Sequence, residues 1–136
     1  MSLSREIEVS PAPTPTDLFI DRLEALLRST PGPLRSVADQ AGFLGSYVDT
    51  LFAHRAVAAL LACWPPPPGS SGRQRAREAA VAVQALLAGP DADLERRVRA
   101  AVAVAGLAGA VAAHAAGRAE DVRSLAVARS VAALNA

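Results

Sequence analysis

Apolar residues along this chain recur at intervals of three and four, and no stretch alternates with period two over the length of a strand. Phe19, Leu23, Leu26 and Leu27 share one helical face. The preceding Thr14-Pro15-Thr16-Asp17 has the form of a capping box with proline at the first helical position. This pattern predicts a helix over about 16–28, ended by the prolines of TPGP. Pro33 predicts the start of the next helix, with Leu34, Val37, Ala38 and Ala41 at helical spacing and Gly42 as an interruption or kink. Leu44, Val48, Leu51, Phe52, Arg55 and Ala59 continue its stripe through 33–62 towards Trp64. Pro65 to Pro68 then demand an extended connection, and GSSG reads as a loop with Ser70 or Ser71 as the next N-cap. A helix over 72–88 turns Ala76, Ala79, Ala80, Val83, Leu86 and Leu87 inward, and Gly89-Pro90 stops it. Asp91 or Asp93 caps a long helix over 93–116, Gly117 ends it, and a last helix covers 119–134. The prediction is an all-α fold, a helical bundle of about six helices. Residues 14–136 form one domain and residues 1–13, which lack periodicity, a flexible lead-in.

The last two helices carry more apolar surface than one core needs. On 93–116, one stripe holds Leu94, Val98, Ala101, Ala105, Ala108 and Ala112, and a second holds Val104, Leu107 and Val111. A third holds Val102, Gly106, Gly109 and Ala113. The final helix has Val127, Val131 and Leu134 on one side and Val122, Leu125 and Ala126 on the other. An amphipathic surface helix needs one apolar stripe. Either the domain wraps these helices itself, or a second copy covers them with the same helices in a twofold dimer. The surplus of faces in so short a chain favours the homodimer. Its expected interface is Val102, Gly106, Gly109, Ala113, Val127 and Val131, with the glycines permitting close backbone approach.

Composition narrows the function. Hydrophobic residues make up 51% of the 136 and aromatics only 4%, so the core is built from Ala, Val and Leu. A net charge of +1 supplies no field for binding nucleic acid or an anionic membrane. One cysteine, Cys63, excludes an internal disulfide and a cysteine-based zinc site. No apolar run reaches spanning length without interruption, and MSLSREIEVS has no signal-peptide centre. The expectation is a cytoplasmic protein without membrane contact.

The segments LLAGPDADLERRVRAAVAVAGLAGAV and AEDVRSLAVARSVAAL resemble the C-terminal half of tetracycline-repressor-type (TetR) transcription regulators. Upstream, YVDTLFAHRAVAALLA looks like that family's helix that ends in LLAHR and runs on into the next. The resemblance covers roughly residues 17–134. It implies a TetR C-terminal-domain-like bundle whose last two helices form a four-helix bundle with a partner's, and whose earlier helices enclose a cavity for a hydrophobic effector. The family's DNA-binding helix-turn-helix precedes this domain, whereas here only the lead-in precedes Asp17, so DNA is expected to be contacted only through a segment not in this chain. A second possibility places the helix-turn-helix at LRSVADQAGFLGSYVDTLFAHR, with Ala41-Gly42 at the turn and Tyr47 and Thr50 on the recognition helix. That helix lacks a basic residue and carries Asp49, which phosphates repel. The alternative function is a stand-alone helical small-molecule-binding or scaffold protein that never touches DNA.

Candidate chemistry is sparse. His54 and Cys63 fall on different sides of a straight helix, too far apart for a nucleophile pair. His114 has no carboxylate at i±3 or i±4 to complete a metal site. GSSG leads into a helix without the lysine of a phosphate loop. Neither a catalytic set, a metal site nor a cofactor is expected. Every aromatic ring lies before the proline run, and the expected ligand-binding residues are Tyr47, Phe52, His54 and Trp64. The same rings equally serve as plain core filling.

Overall fold

A computed structural model of the chain describes residues 14–57, 71–114 and 116–136. These form five α-helices and one 3-10 turn, with no strand among the described residues. The helices are α1 (Pro15–Ser29), α2 (Val37–Ala53), α3 (Ser71–Ala88), α4 (Leu94–Ala113) and α5 (Ala119–Leu134), with the 3-10 turn at Ala116–Arg118 before α5. The expected lead-in, the proline run, Cys63 and Trp64 lie outside the described residues.

Local chemistry explains most of the boundaries. Asp17 N–H donates to Thr14 Oγ1 at 3.1 Å, and Thr14 N–H donates to Asp17 Oδ2 at 3.2 Å, completing the capping box of α1. At its far end Thr30 Oγ1 donates to the Leu26 carbonyl, and Gly32 at φ +88 turns the chain as only glycine does without strain. Helix α2 departs from expectation at both ends. It starts at Val37 rather than Pro33, because Ser36 Oγ accepts the Asp39 N–H at 3.1 Å and Asp39 accepts the Arg35 N–H. It then runs through Gly42 as one helix and breaks at His54, with residues 55–57 helical again. A helix-turn-helix pivoting on Ala41-Gly42 is therefore not formed. Gly89, at φ +90, and Asp91, at φ 55, make the turn from α3 to α4, and Asp93 caps α4 by accepting the Arg96 N–H at 2.9 Å.

The core sits where α2 meets α1, α4 and α5, with α3 closing the ring between α1 and α4. Helix α2 contributes most to it, burying Phe43, Leu44, Tyr47, Val48, Thr50 and Leu51. Helix α1 adds Phe19, Ile20 and Leu23, and α3 adds Ala79, Val83, Leu87 and Ala88. Ala80, expected on the inner face of α3, is exposed. From α4 come Ala100, Ala103, Val104, Leu107 and Val111, a single stripe at helical spacing. Helix α5 buries only Ser130 and leans half-buried Ala126, Val127, Val131 and Leu134 on the core.

Polar ties join helices distant in sequence. The Arg75 guanidinium on α3 reaches Asp21 at 2.7 Å and Glu24 at 2.8 Å on α1, with Asp17 at 3.8 Å. Arg123 on α5 pairs with Asp49 on α2 at 2.8 Å, and Gly45 leaves it room, since a Cβ there would meet Arg123 Nη2 at 2.6 Å. Arg55 donates from Nε to the Val111 carbonyl at 3.0 Å and from Nη2 to that of Ala112 at 3.3 Å. A cation thus satisfies carbonyls that the end of α4 leaves without helical partners.

Candidate functional site

Helices α4 and α5 lie side by side, and their outward surface exposes several large apolar side chains. Once α4 has turned Val104, Leu107 and Val111 inward, the stripe of Val102, Gly106, Gly109 and Ala113 faces solvent, as do Leu94, Val98 and Ala105 of the other, while Ala101, Ala108 and Ala112 are half-buried. Leu94 is 69% exposed, Val98 51% and Val102 61%, while Leu125 on α5 is 64% exposed. Between the helices runs a groove of about 370 Å³ with Val102, Gly106 and Ala110 on the α4 side and Val122, Leu125 and Ala126 on the α5 side. The polar side chains of its wall are Ser130, Arg129 and His114, whose Nδ1 lies 2.8 Å from the Ala110 carbonyl.

Four of the six residues expected at an interface lie on this exterior. Val102, Gly106, Gly109 and Ala113 are exposed on one face of α4, and a Cβ added at either glycine would touch nothing within 4 Å. Val127 and Val131 instead turn toward the core and are half-buried. The outward residues of α5 are Val122, Leu125 and Arg129, which the interface expectation omitted. Their sequence signal was the second apolar side of that helix; nothing in the pattern alone shows which side faces in.

Of the expected ligand-binding residues, Tyr47 and His54 join different ring pairs, and Phe52 is in neither. Tyr47 is buried and stacks on Phe43, with centroids 6.3 Å apart and planes 8° from parallel. Burial pushes its phenol pKa up to about 12, because the phenolate is the form that loses hydration. His54 is half-buried at the end of α2, its ring 5.6 Å from that of Phe19, and Phe52 is half-buried against the core. Trp64 lies outside the described residues. Three surface hollows, of about 400, 370 and 390 Å³, have walls that include none of Tyr47, Phe52 and His54.

Among the described residues no three His, Cys, Asp or Glu side chains gather as a metal site. No helix among them is long and apolar enough to cross a membrane. The arrangement offers an apolar surface for another apolar surface, with no constellation of groups for bond-making chemistry in that groove. Compared with models of known protein families, with curated proteins and with solved structures, the chain finds no match.

Proposed function

We propose that the chain is the effector-binding and dimerisation domain of a TetR-like transcription regulator, working in the cytoplasm as a homodimer through α4 and α5. The observation that carries this reading is the exposed apolar face those helices present, with Val102 and Leu125 each more than half exposed beside one groove. Gly106 and Gly109 strengthen it. A glycine inside a helix costs about 1 kcal/mol relative to alanine, and among the described residues no close approach within the subunit requires a glycine at either position. A close-approaching helix from a second copy supplies the missing reason, and a twofold dimer covers both copies' faces at once. In this reading a hydrophobic effector binds near Tyr47, Phe52 and His54, and shifts how the paired helices sit. DNA is contacted by a segment other than these helices, since Tyr47 and Thr50 are buried and Asp49 is engaged by Arg123.

Sedimentation equilibrium across micromolar concentrations tests the central step. A monomer–dimer equilibrium is the expected result, and a chain that stays monomeric throughout overturns it. The same occupied α2 surface favours, as a second reading, a helical binding or scaffold protein that never touches DNA. A sequence-selective, salt-sensitive mobility shift by this chain alone would overturn that second reading.

A further inference from the structure

One end of the bundle brings together the α1–α2 connection, the α3–α4 turn and the last residues of α5. They enclose a hollow of about 390 Å³, at the small end of the range that ligand sites occupy. The charged side chains in its wall are Arg35 and Arg96, both cations. Among the described residues neither has an ion-pair partner. Glu95, beside Arg96 in sequence, is paired with Arg99 at 2.7 Å, and two other nearby carboxylates serve the backbone. Asp39 accepts the Arg35 N–H at 3.1 Å, and Asp93 accepts the Arg96 N–H at 2.9 Å as the cap of α4. Neither carboxylate is part of the wall.

The rest of the wall is divided by chemistry. Asn135 Nδ2 donates to Gln40 Oε1 at 2.7 Å, which fixes both amides and leaves the Gln40 amino group to serve another acceptor. Leu34, Leu87 and Leu134 supply an apolar side continuous with the core. Two guanidinium groups beside one cavity repel each other, and an anion between them removes that repulsion while accepting paired N–H donors.

From this juxtaposition we infer that the hollow is a binding site for a small amphipathic anion, a carboxylate carried on a short apolar body. The carboxylate lies between Arg35 and Arg96, and the body lies against the leucines. Both arginines are exposed, so solvent screens the pairing and binding is in the millimolar range. The inference stands apart from the proposed dimer and from the Tyr47 region, since none of those residues forms the wall.

The test is a titration of the whole chain with sodium octanoate, followed by the nuclear magnetic resonance shifts of backbone and side-chain amides. Octanol and inorganic phosphate serve as separate probes of the apolar body and the charge. The expected result is saturable shifts at the Gln40 and Asn135 amides and around Gly89, with much weaker binding of octanol and of phosphate. Arg35→Gln and Arg96→Gln should each weaken octanoate about tenfold or more. Arg35 precedes the first turn of α2, so Arg35→Gln carries the test if the change within α4 disturbs folding. Shifts confined to the α4–α5 groove, equal binding of octanol or of phosphate, or undiminished binding by a folded Arg35→Gln variant would overturn the site.

Discussion

Substituting Gly109 separates the stability of the subunit from its association, because the two respond in opposite directions. Within one subunit the site is open: a Cβ meets nothing within 4 Å, and the residue lies in the interior of α4. Alanine or arginine there should stabilise the isolated subunit by about 1 kcal/mol, the usual difference from glycine in a helix interior. In the proposed dimer the same position lies where two helices come close. A guanidinium carried into that contact must be buried without a partner or must push the helices apart, at a cost of about 3 kcal/mol or more. A loss of that size weakens the dimerisation constant by roughly two powers of ten. Gly109→Ala adds one methyl group and should disturb association far less than Gly109→Arg. Urea unfolding at a concentration where the chain is monomeric reads the first effect, and sedimentation velocity over a concentration series reads the second. Unfolding of a dimer depends on concentration, so the two measurements must not be made at one concentration alone. If Gly109→Arg sediments as the parent does at every concentration, the face of α4 around Gly109 is not the interface. If the variant lowers the stability of the monomer, the open surface at Gly109 is itself wrong.

Two further substitutions test the subunit. Arg55→Leu removes both hydrogen bonds to the end of α4 and should lower stability by about 2 kcal/mol, with Arg55→Lys recovering part of it; an unchanged urea midpoint would show that those carbonyls find water instead. Tyr47 is the only tyrosine, so ultraviolet titration of phenolate formation should give a single transition near pH 12, displaced from 10. A folded pKa above the unfolded one means its stabilising contribution is complete below pH 10 and is lost as pH rises toward 12, roughly 3 kcal/mol in all. Tyr47→Phe should remove that alkaline loss, and a Tyr47 that titrates near 10 in the folded protein would contradict its burial.

Helix existence was legible wherever a chemical signal stands beside the apolar period. Thr14 with Asp17 placed the start of α1, Gly89-Pro90 the end of α3, and Gly117 the break before α5. Pro33 misled because a proline suits a first helical turn, yet Ser36 three residues before Asp39 is the stronger local cap and delays α2 by a turn. The inward face of α4 was not legible. Alanine and valine on three sides give no contrast, and the choice of Val104, Leu107 and Val111 follows from the neighbours α2, α3 and α5. The same lack of contrast on α5 hides from the sequence that Val127 and Val131 lean on the core. Ties such as Arg55 with Val111 and Arg123 with Asp49 join positions 56 and 74 residues apart, a distance over which apolar spacing carries no information. Rings close in sequence separate in space: Tyr47 stacks on Phe43 within α2, while His54, just past the end of α2, meets Phe19 of α1.

Helix α5 packs along both α2 and α4, yet it does so mainly through half-buried side chains. It buries one residue, Ser130, and its specific fastenings are the Arg123–Asp49 pair and the Asn135–Gln40 contact, both exposed. Regions fastened through half-buried contacts open below the global unfolding free energy, and their amide hydrogens exchange earlier. In a lone subunit the amides of α5 are therefore expected to exchange before those of α2 and the inner stripe of α4. In the proposed dimer, a second copy packed on its outer face would close the open states and slow the exchange. Association and the ordering of the last helix would then be one thermodynamic event, with rigidity spreading across the subunit boundary without any change in the average fold.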